Sequence, residues 1–188
     1  MSWLEAVSAA LVLVSVYLST REQIWAWPTA IVSVTLFGVV LWQQRLFAGV
    51  GLQACFVVIS AYGWYHWLFG GGGRAELRVT RVTPATAAAL AGVWVAGALL
   101  YGWAVVSLTQ DPALPWLDAA LSAASLLAQW MLSRKLLENW LVWVAVNVGY
   151  VGMFLSQGLR IYAVLYVVLF FLAAKGYRDW RRSLARPA

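Results

Sequence analysis

The chain holds few of the residues from which catalytic and metal centres are made. It has one cysteine, Cys55, and one histidine, His66, in 188 residues. Neither a disulfide framework nor a zinc site can be assembled from them. It has only seven acidic residues, and none falls in the middle of an apolar run. Glu5, Asp118 and Glu138 stand near the ends of theirs. Pumps and antiporters usually place an ionisable group inside the membrane to carry protons or sodium, and that group is lacking. There is no phosphate-cradling glycine loop and no nucleophile–base pair. An enzyme, a metal site and a resident cofactor are therefore not expected. Charge of either sign is scarce, at 11% of residues, while 63% are hydrophobic and the mean hydropathy is +0.78. That leaves too little polar surface for a water-soluble domain. No Lys or Arg precedes the first apolar run and no small-residue cleavage motif follows it. The run reads as a first span rather than a cleavable signal peptide.

What the chain has is apolar runs of membrane-spanning length, for which about 20 residues are needed. Seven are read, at Trp3–Thr20, Ile24–Gln43, Phe47–Phe69, Thr83–Leu108, Leu114–Leu132, Leu136–Gln157 and Leu159–Tyr177. The breaks carry charge or turn residues. The longest is Gly70–Arg81, whose four glycines, Gly70 to Gly73, read as a flexible tether. The net charge is +6 with a pI near 9.8, and the basic residues sit at the ends of the apolar runs. That is membrane topology, not nucleic-acid binding. Arg45 and Arg160 fall on the side of the N-terminus, and the other eleven Lys and Arg fall on the opposite side. The positive-inside rule makes the opposite side the cytoplasm, with the N-terminus outside and the C-terminus inside a bacterial inner membrane.

An internal repeat is visible. Moved by 113 residues, Trp3-Leu4-Glu5-Ala6 falls on Trp116-Leu117-Asp118-Ala119, Arg21 on Arg134, Trp27 on Trp140, Gly63 on Gly176 and Trp67 on Trp180. Six Trp in 3–67 and five in 116–180 would superpose about half a pair by chance, and three are superposed. The expected fold is all-α and integral to the membrane, with seven transmembrane helices arranged 3+1+3. Residues 1–69 form one three-helix repeat, 70–113 the cytoplasmic loop and linking helix, and 114–188 a second, parallel repeat with a basic tail. Such repeats place a site near the midplane between them.

An asymmetric substrate requires the halves to differ at the site. Trp140, Trp143 and Asn147 share one face of helix 6 by their i, i+3, i+7 spacing. Asn147 lies roughly 16 Å into its span, and an unpaired amide there must face protein or a cavity. Trp143 and Asn147 correspond to Ala30 and Val34 in the first half, so the second half has gained an aromatic and amide face. Gln53 and its equivalent Tyr166 are a second divergent polar position. Packing is the competing reading: a belt role for Trp140, and a helix–helix hydrogen bond for Asn147. Gln129 and Ser60 read as packing, and His66 as interfacial. The candidate substrate-binding residues are Trp140, Trp143, Asn147, Gln53 and Tyr166. Tryptophan faces suit a flat, cationic ring.

Val34-Thr35-Leu36-Phe37-Gly38, Tyr62-Gly63-Trp64-Tyr65-His66-Trp67 and the W-x-x-W-x-x-x-N motif of Trp140, Trp143 and Asn147 resemble the PnuC family of bacterial vitamin transporters. The similarity runs from Ser2 to Trp180. It implies facilitated diffusion of nicotinamide riboside, with a cytosolic kinase trapping the substrate, and it implies that the motif lies at the substrate site. Many members of the family have Asn before the V-T-L-F-G stretch, where this chain has Ser33. Thiamine and riboflavin, carried by related members, therefore stay open, as does a membrane sensor that binds without transport. Oligomeric state is open too, since small-residue runs such as Ala85–Ala89 pack helices within or between chains.

Overall fold

Backbone N–H and C=O groups in hydrocarbon must be satisfied within their own segment, and the apolar runs meet this as helices. A computed structural model describes residues 3–71, 76–108 and 115–185. Seven helices result: α1 Trp3–Thr20, α2 Ala26–Gln43, α3 Phe47–Phe69, α4 Pro84–Leu108, α5 Pro115–Ser133, α6 Asn139–Ser156 and α7 Arg160–Leu184. Among the described residues the one β pairing is a single bridge, Thr80 with Leu136. Side chains such as Trp3, Val58, Leu100 and Trp103 are exposed, which suits a surface that meets lipid rather than water.

Among the described residues, six helices are long and apolar enough to cross a membrane; α5 is not one of them. The reason is its position. Its buried residues include Ser122, Ser125, Gln129 and Ser133, so much of its surface meets protein and need not be apolar. α7 runs to Leu184, past the Tyr177 boundary expected from hydropathy. Its last turns are held by the Lys175–Asp179 pair and by Trp180, which is buried.

Helix contacts close a ring: α1 on α2, α2 on α3, α3 on α5, α5 on α6, α6 on α7, and α7 back on α1. α4 packs on α5 and is tied to it by Trp94 Nε1, which donates to the Ala120 carbonyl at 3.0 Å. Small hydroxyl residues draw α1 and α2 together. Ser15 donates to the Ala26 carbonyl at 2.9 Å, and Ser33 to the Ser8 carbonyl at 2.8 Å. The Ser33 hydroxyl is thus spent on helix packing.

The turns repeat at an offset of 113. Among the described residues, the four with positive φ are Glu22 and Lys135, Arg45 and Gly158, two pairs at that offset. Each ends a helix in the left-handed conformation, which costs a non-glycine residue roughly 1–2 kcal/mol. The next N–H then reaches five residues back: Gln23 to the Leu18 carbonyl and Leu136 to the Met131 carbonyl, both at 3.0 Å. Glu22 and Lys135 also meet each other, with Nζ 2.8 Å from Oε2 and side chains 25% and 7% exposed. Lys135 Nζ lies 4.6 Å from the centre of the Trp67 ring.

The segment after α3 departs from the tether expected of it. Residues 72–75 lie outside the described residues, but 76–82 is a strap bound across the end of the ring. Leu77 N–H donates to the Trp67 carbonyl at 3.2 Å, Thr80 N–H to the Lys135 carbonyl at 3.0 Å, and Leu137 N–H to the Thr80 carbonyl at 2.9 Å. Val82 N–H donates to Glu138 Oε2 at 2.9 Å, and Val79 is buried. Backbone groups left open by the left-handed turn at Lys135 recruit the strap.

Glu22→Lys sets two lysines together and is expected to lower the melting temperature of the detergent-solubilised protein. The loss is smaller than the ~3–5 kcal/mol of a fully buried pair, because Glu22 is partly exposed. The exchange E22K/K135E rebuilds the pair in the opposite sense, beside Trp180 instead of Trp67, and is expected to recover most of the loss. A double variant no more stable than the single one would show that the pairing does not hold this end together.

Candidate functional site

Four tryptophans close the strap end of the ring. Trp27 meets Trp67 edge-on at 5.2 Å, Trp140 meets Trp180 edge-on at 5.4 Å, and Trp67 meets Trp180 at 5.9 Å. Trp67 Nε1 donates to the Leu132 carbonyl and Trp180 Nε1 to the Ser19 carbonyl, both at 3.0 Å. The donors and the acceptors are each 113 residues apart, and each bond joins one half of the chain to the other. Trp27 and Trp140 lie flat against Gly63 and Gly176. A Cβ added at Gly176 would come within 2.5 Å of the Trp140 ring, so both positions require glycine for close approach. Beside this quartet lies a cavity of about 130 Å³, lined by Glu22, Ile24, Trp67, Leu68, Glu76 and Lys135. A drug-sized ligand needs ~300–1,000 Å³, so this cavity does not hold a vitamin.

Trp140 is therefore part of the quartet, 1% exposed and packed on all sides. One turn deeper, Trp143 is half-buried. It packs both on the quartet and on a second cluster of Val146, Tyr150 and Met153. Tyr166 of α7 packs on that same cluster, its ring 4.7 Å from that of Tyr150. The Tyr150 hydroxyl is 3.3 Å from the Ser122 hydroxyl of α5. The structure thus gathers Trp143 and Tyr166 around Tyr150. Gln53 stands on α3, half-buried against α2 at Gly38. No described contact joins it to the other four.

Asn147 is 2% exposed, and its Oδ1 has no hydrogen-bond partner. A buried amide carbonyl left open costs about 1–3 kcal/mol, so a fold tolerates it only where something else gains. Asn139 Oδ1 and the Nε1 groups of Trp27 and Trp140 are open as well, all three at the quartet end. Asn147 differs from them in depth: it lies eight residues into α6, ~12 Å from the helix start at 1.5 Å per residue. With Trp143, Tyr150 and Tyr166 it makes up the candidate site, which is aromatic and able to donate and accept single hydrogen bonds. That chemistry suits a flat polar ring with hydroxyl groups.

Sequence reasoning did not single out Tyr150 or Ser122. Tyr150 stands three residues beyond Asn147, and that spacing on one helix was the available signal.

The family model described as nicotinamide mononucleotide transporter matches residues 2–182. The nicotinamide riboside transporter PnuC of Escherichia coli (strain K12) is 30% identical, over 97% of this chain and 87% of its own. The riboflavin/roseoflavin transporter RibM of Streptomyces davaonensis is 32% identical, over 95% of this chain and 84% of its own. Among solved structures, the crystal structure of the vitamin B3 transporter PnuC superposes with a TM-score of 0.79 at 21% identity. It covers all of this chain and 84% of that one, which establishes a shared fold. With the family model spanning nearly the whole sequence, the chain belongs to the nicotinamide mononucleotide transporter family, the family of PnuC.

Proposed function

We propose that the protein is a facilitator that lets nicotinamide riboside move down its gradient across the bacterial inner membrane, and that a cytosolic kinase then traps the substrate by phosphorylating it. The observation that carries this reading is Asn147: a buried amide with an open carbonyl, beside Trp143, in a chain of the PnuC family. In this reading Trp143 stacks on the pyridinium ring, and Asn147 binds its carboxamide. Tyr166 and Gln53 stand on the facing walls, and Trp140 supports Trp143 from the quartet. All five side chains are neutral. They fit a cationic ring on an uncharged sugar better than a nucleotide, whose phosphate calls for Arg or Lys.

Two parallel three-helix repeats, 1–69 and 114–188, joined by the linking helix in 70–113, account for the closed ring and for the turns that recur at 113 residues. Seven spans put the N-terminus outside and the basic C-terminal helix in the cytoplasm, with the strap and the tryptophan quartet at the cytoplasmic end.

Uptake of labelled nicotinamide riboside into proteoliposomes, with no imposed ion gradient, tests the function. Saturable flux that unlabelled nicotinamide riboside suppresses, and thiamine and riboflavin do not, is the expected result. Suppression by riboflavin would move the chain towards its RibM relative. Saturable binding without flux would replace transport with sensing.

Asn147→Leu separates the site from packing. Removing a buried, unpartnered carbonyl is expected to leave the melting temperature unchanged or higher. Riboside uptake at low substrate is expected to fall about tenfold or more, the equivalent of one lost hydrogen bond. Unchanged uptake would remove Asn147 from the site.

A further inference from the structure

The scaffold contains its own control experiment at one buried polar contact. Gln129 of α5 donates from Nε2 to the Ser60 hydroxyl of α3 at 3.1 Å, with both residues buried. At the offset of 113 the equivalent residues are Val16 of α1 and Ala173 of α7. Ala173 is in the apolar core around the quartet, and Val16 packs against that core. α3 meets α5 as α7 meets α1. The same place in the fold is thus filled with apolar side chains in one half and with an amide and a hydroxyl in the other. Packing does not demand the polar version. Replacing both members of a buried polar pair by apolar groups of fitting shape is nearly neutral or stabilising, so the polar pair has a reason other than the fold.

Its position supplies that reason. Gln129 continues a buried row on α5, with Ser122 and Ser125 at spacings of three and four residues. The row begins at the Tyr150 hydroxyl, which Ser122 meets. α5 and α6 share the tight turn at 134–138, so depths counted from it compare directly. Gln129 stands four residues before the end of α5 and Asn147 eight residues after the start of α6. These are ~6 Å and ~12 Å from the turn. The long glutamine side chain and the deeper Ser60 occupy the layer between Trp143 and Asn147. Asn147, with its open Oδ1, corresponds to an apolar residue in the other half, Val34. Two polar features about one helical turn apart in depth, each absent from its equivalent position, point to one asymmetric ligand.

We infer that Gln129 and Ser60 are specificity-determining residues that read the hydroxyl groups of the transported molecule, opposite the aromatic and amide face that takes its ring. This rests on the transport reading above. The pair holds its hydroxyl-binding groups in place when the site is empty by bonding to itself, and exchanges that bond for the substrate.

The test uses the pair that the other half already carries, Q129V/S60A, in proteoliposomes holding the full chain. Uptake is measured for nicotinamide riboside and for its 2′,3′-dideoxy analogue, which keeps the ring and lacks two hydroxyls. The wild-type protein is expected to prefer the riboside. In the double variant the preference is expected to fall about tenfold, through loss of riboside uptake rather than loss of folded protein. A purely structural pair would lower both substrates alike, and an unchanged preference would overturn the inference whatever the absolute rates. Wild-type protein that carries neither compound would defeat the transport reading instead, a separate result.

Discussion

The contact between Glu22 and Lys135 sets the terms on which the two halves of the ring meet. The residues are 113 positions apart, adopt the same left-handed turn, and touch each other. Positions related in this way meet only at the axis between the halves. Two identical chains would place like charges there, and like charges at ~3 Å repel by several kcal/mol in a partly dry setting. One continuous chain can put Glu on one side and Lys on the other. α4 stands outside the ring, where it packs on α5 and the ring closes without it.

Around that axis the other interactions fall in matched pairs. Two tryptophan indoles donate across it to opposite carbonyls, and two more tryptophans rest on two glycines. The strap then covers one side only, pairing with the turn at Lys135. With the indoles interlocked and the ion pair beside them, this end is closed to a molecule of vitamin size. The ion pair between Glu22 and Lys135 adds a polar contact between the halves at this end.

Helix positions were legible because run length and backbone satisfaction leave the chain little choice. Trp3–Thr20 and Phe47–Phe69 were read to the residue. α5, read as a run at Leu114–Leu132, is a helix at Pro115–Ser133 but is less apolar than the other six, because Ser122, Ser125, Gln129 and Ser133 are buried inside the bundle, and sequence alone does not say which helix is central. Asn147 was legible because a mid-span amide is expensive wherever it points. The surroundings of Trp140 were not. Spacing puts it on the face of Trp143, yet the same spacing serves the quartet, and only the glycine at 176 hints at a flat aromatic neighbour. The bond between Glu22 and Lys135 was out of reach, since charges at helix ends look alike whether they meet water or each other.

The five candidate side chains also bear on the direction of the transport proposed above. None of them can couple an ion gradient, and a carrier built on them alone would equalise its substrate and do no more. Net entry then depends on chemistry beyond the membrane. Phosphorylation suits this site in particular, because it adds about −1.5 to −2 charges at neutral pH. As the proposed site, Trp143, Asn147, Tyr166 and Gln53 would offer that product stacking and single hydrogen bonds but no cation. Lys135, the cation nearest the quartet, is held by Glu22 and covered by Trp67. On the proposed reading, the face that accepts the nucleoside would reject the nucleotide through the cost of desolvating its phosphate. Under that proposal the selectivity that admits the substrate is also the one that keeps its phosphorylated product inside.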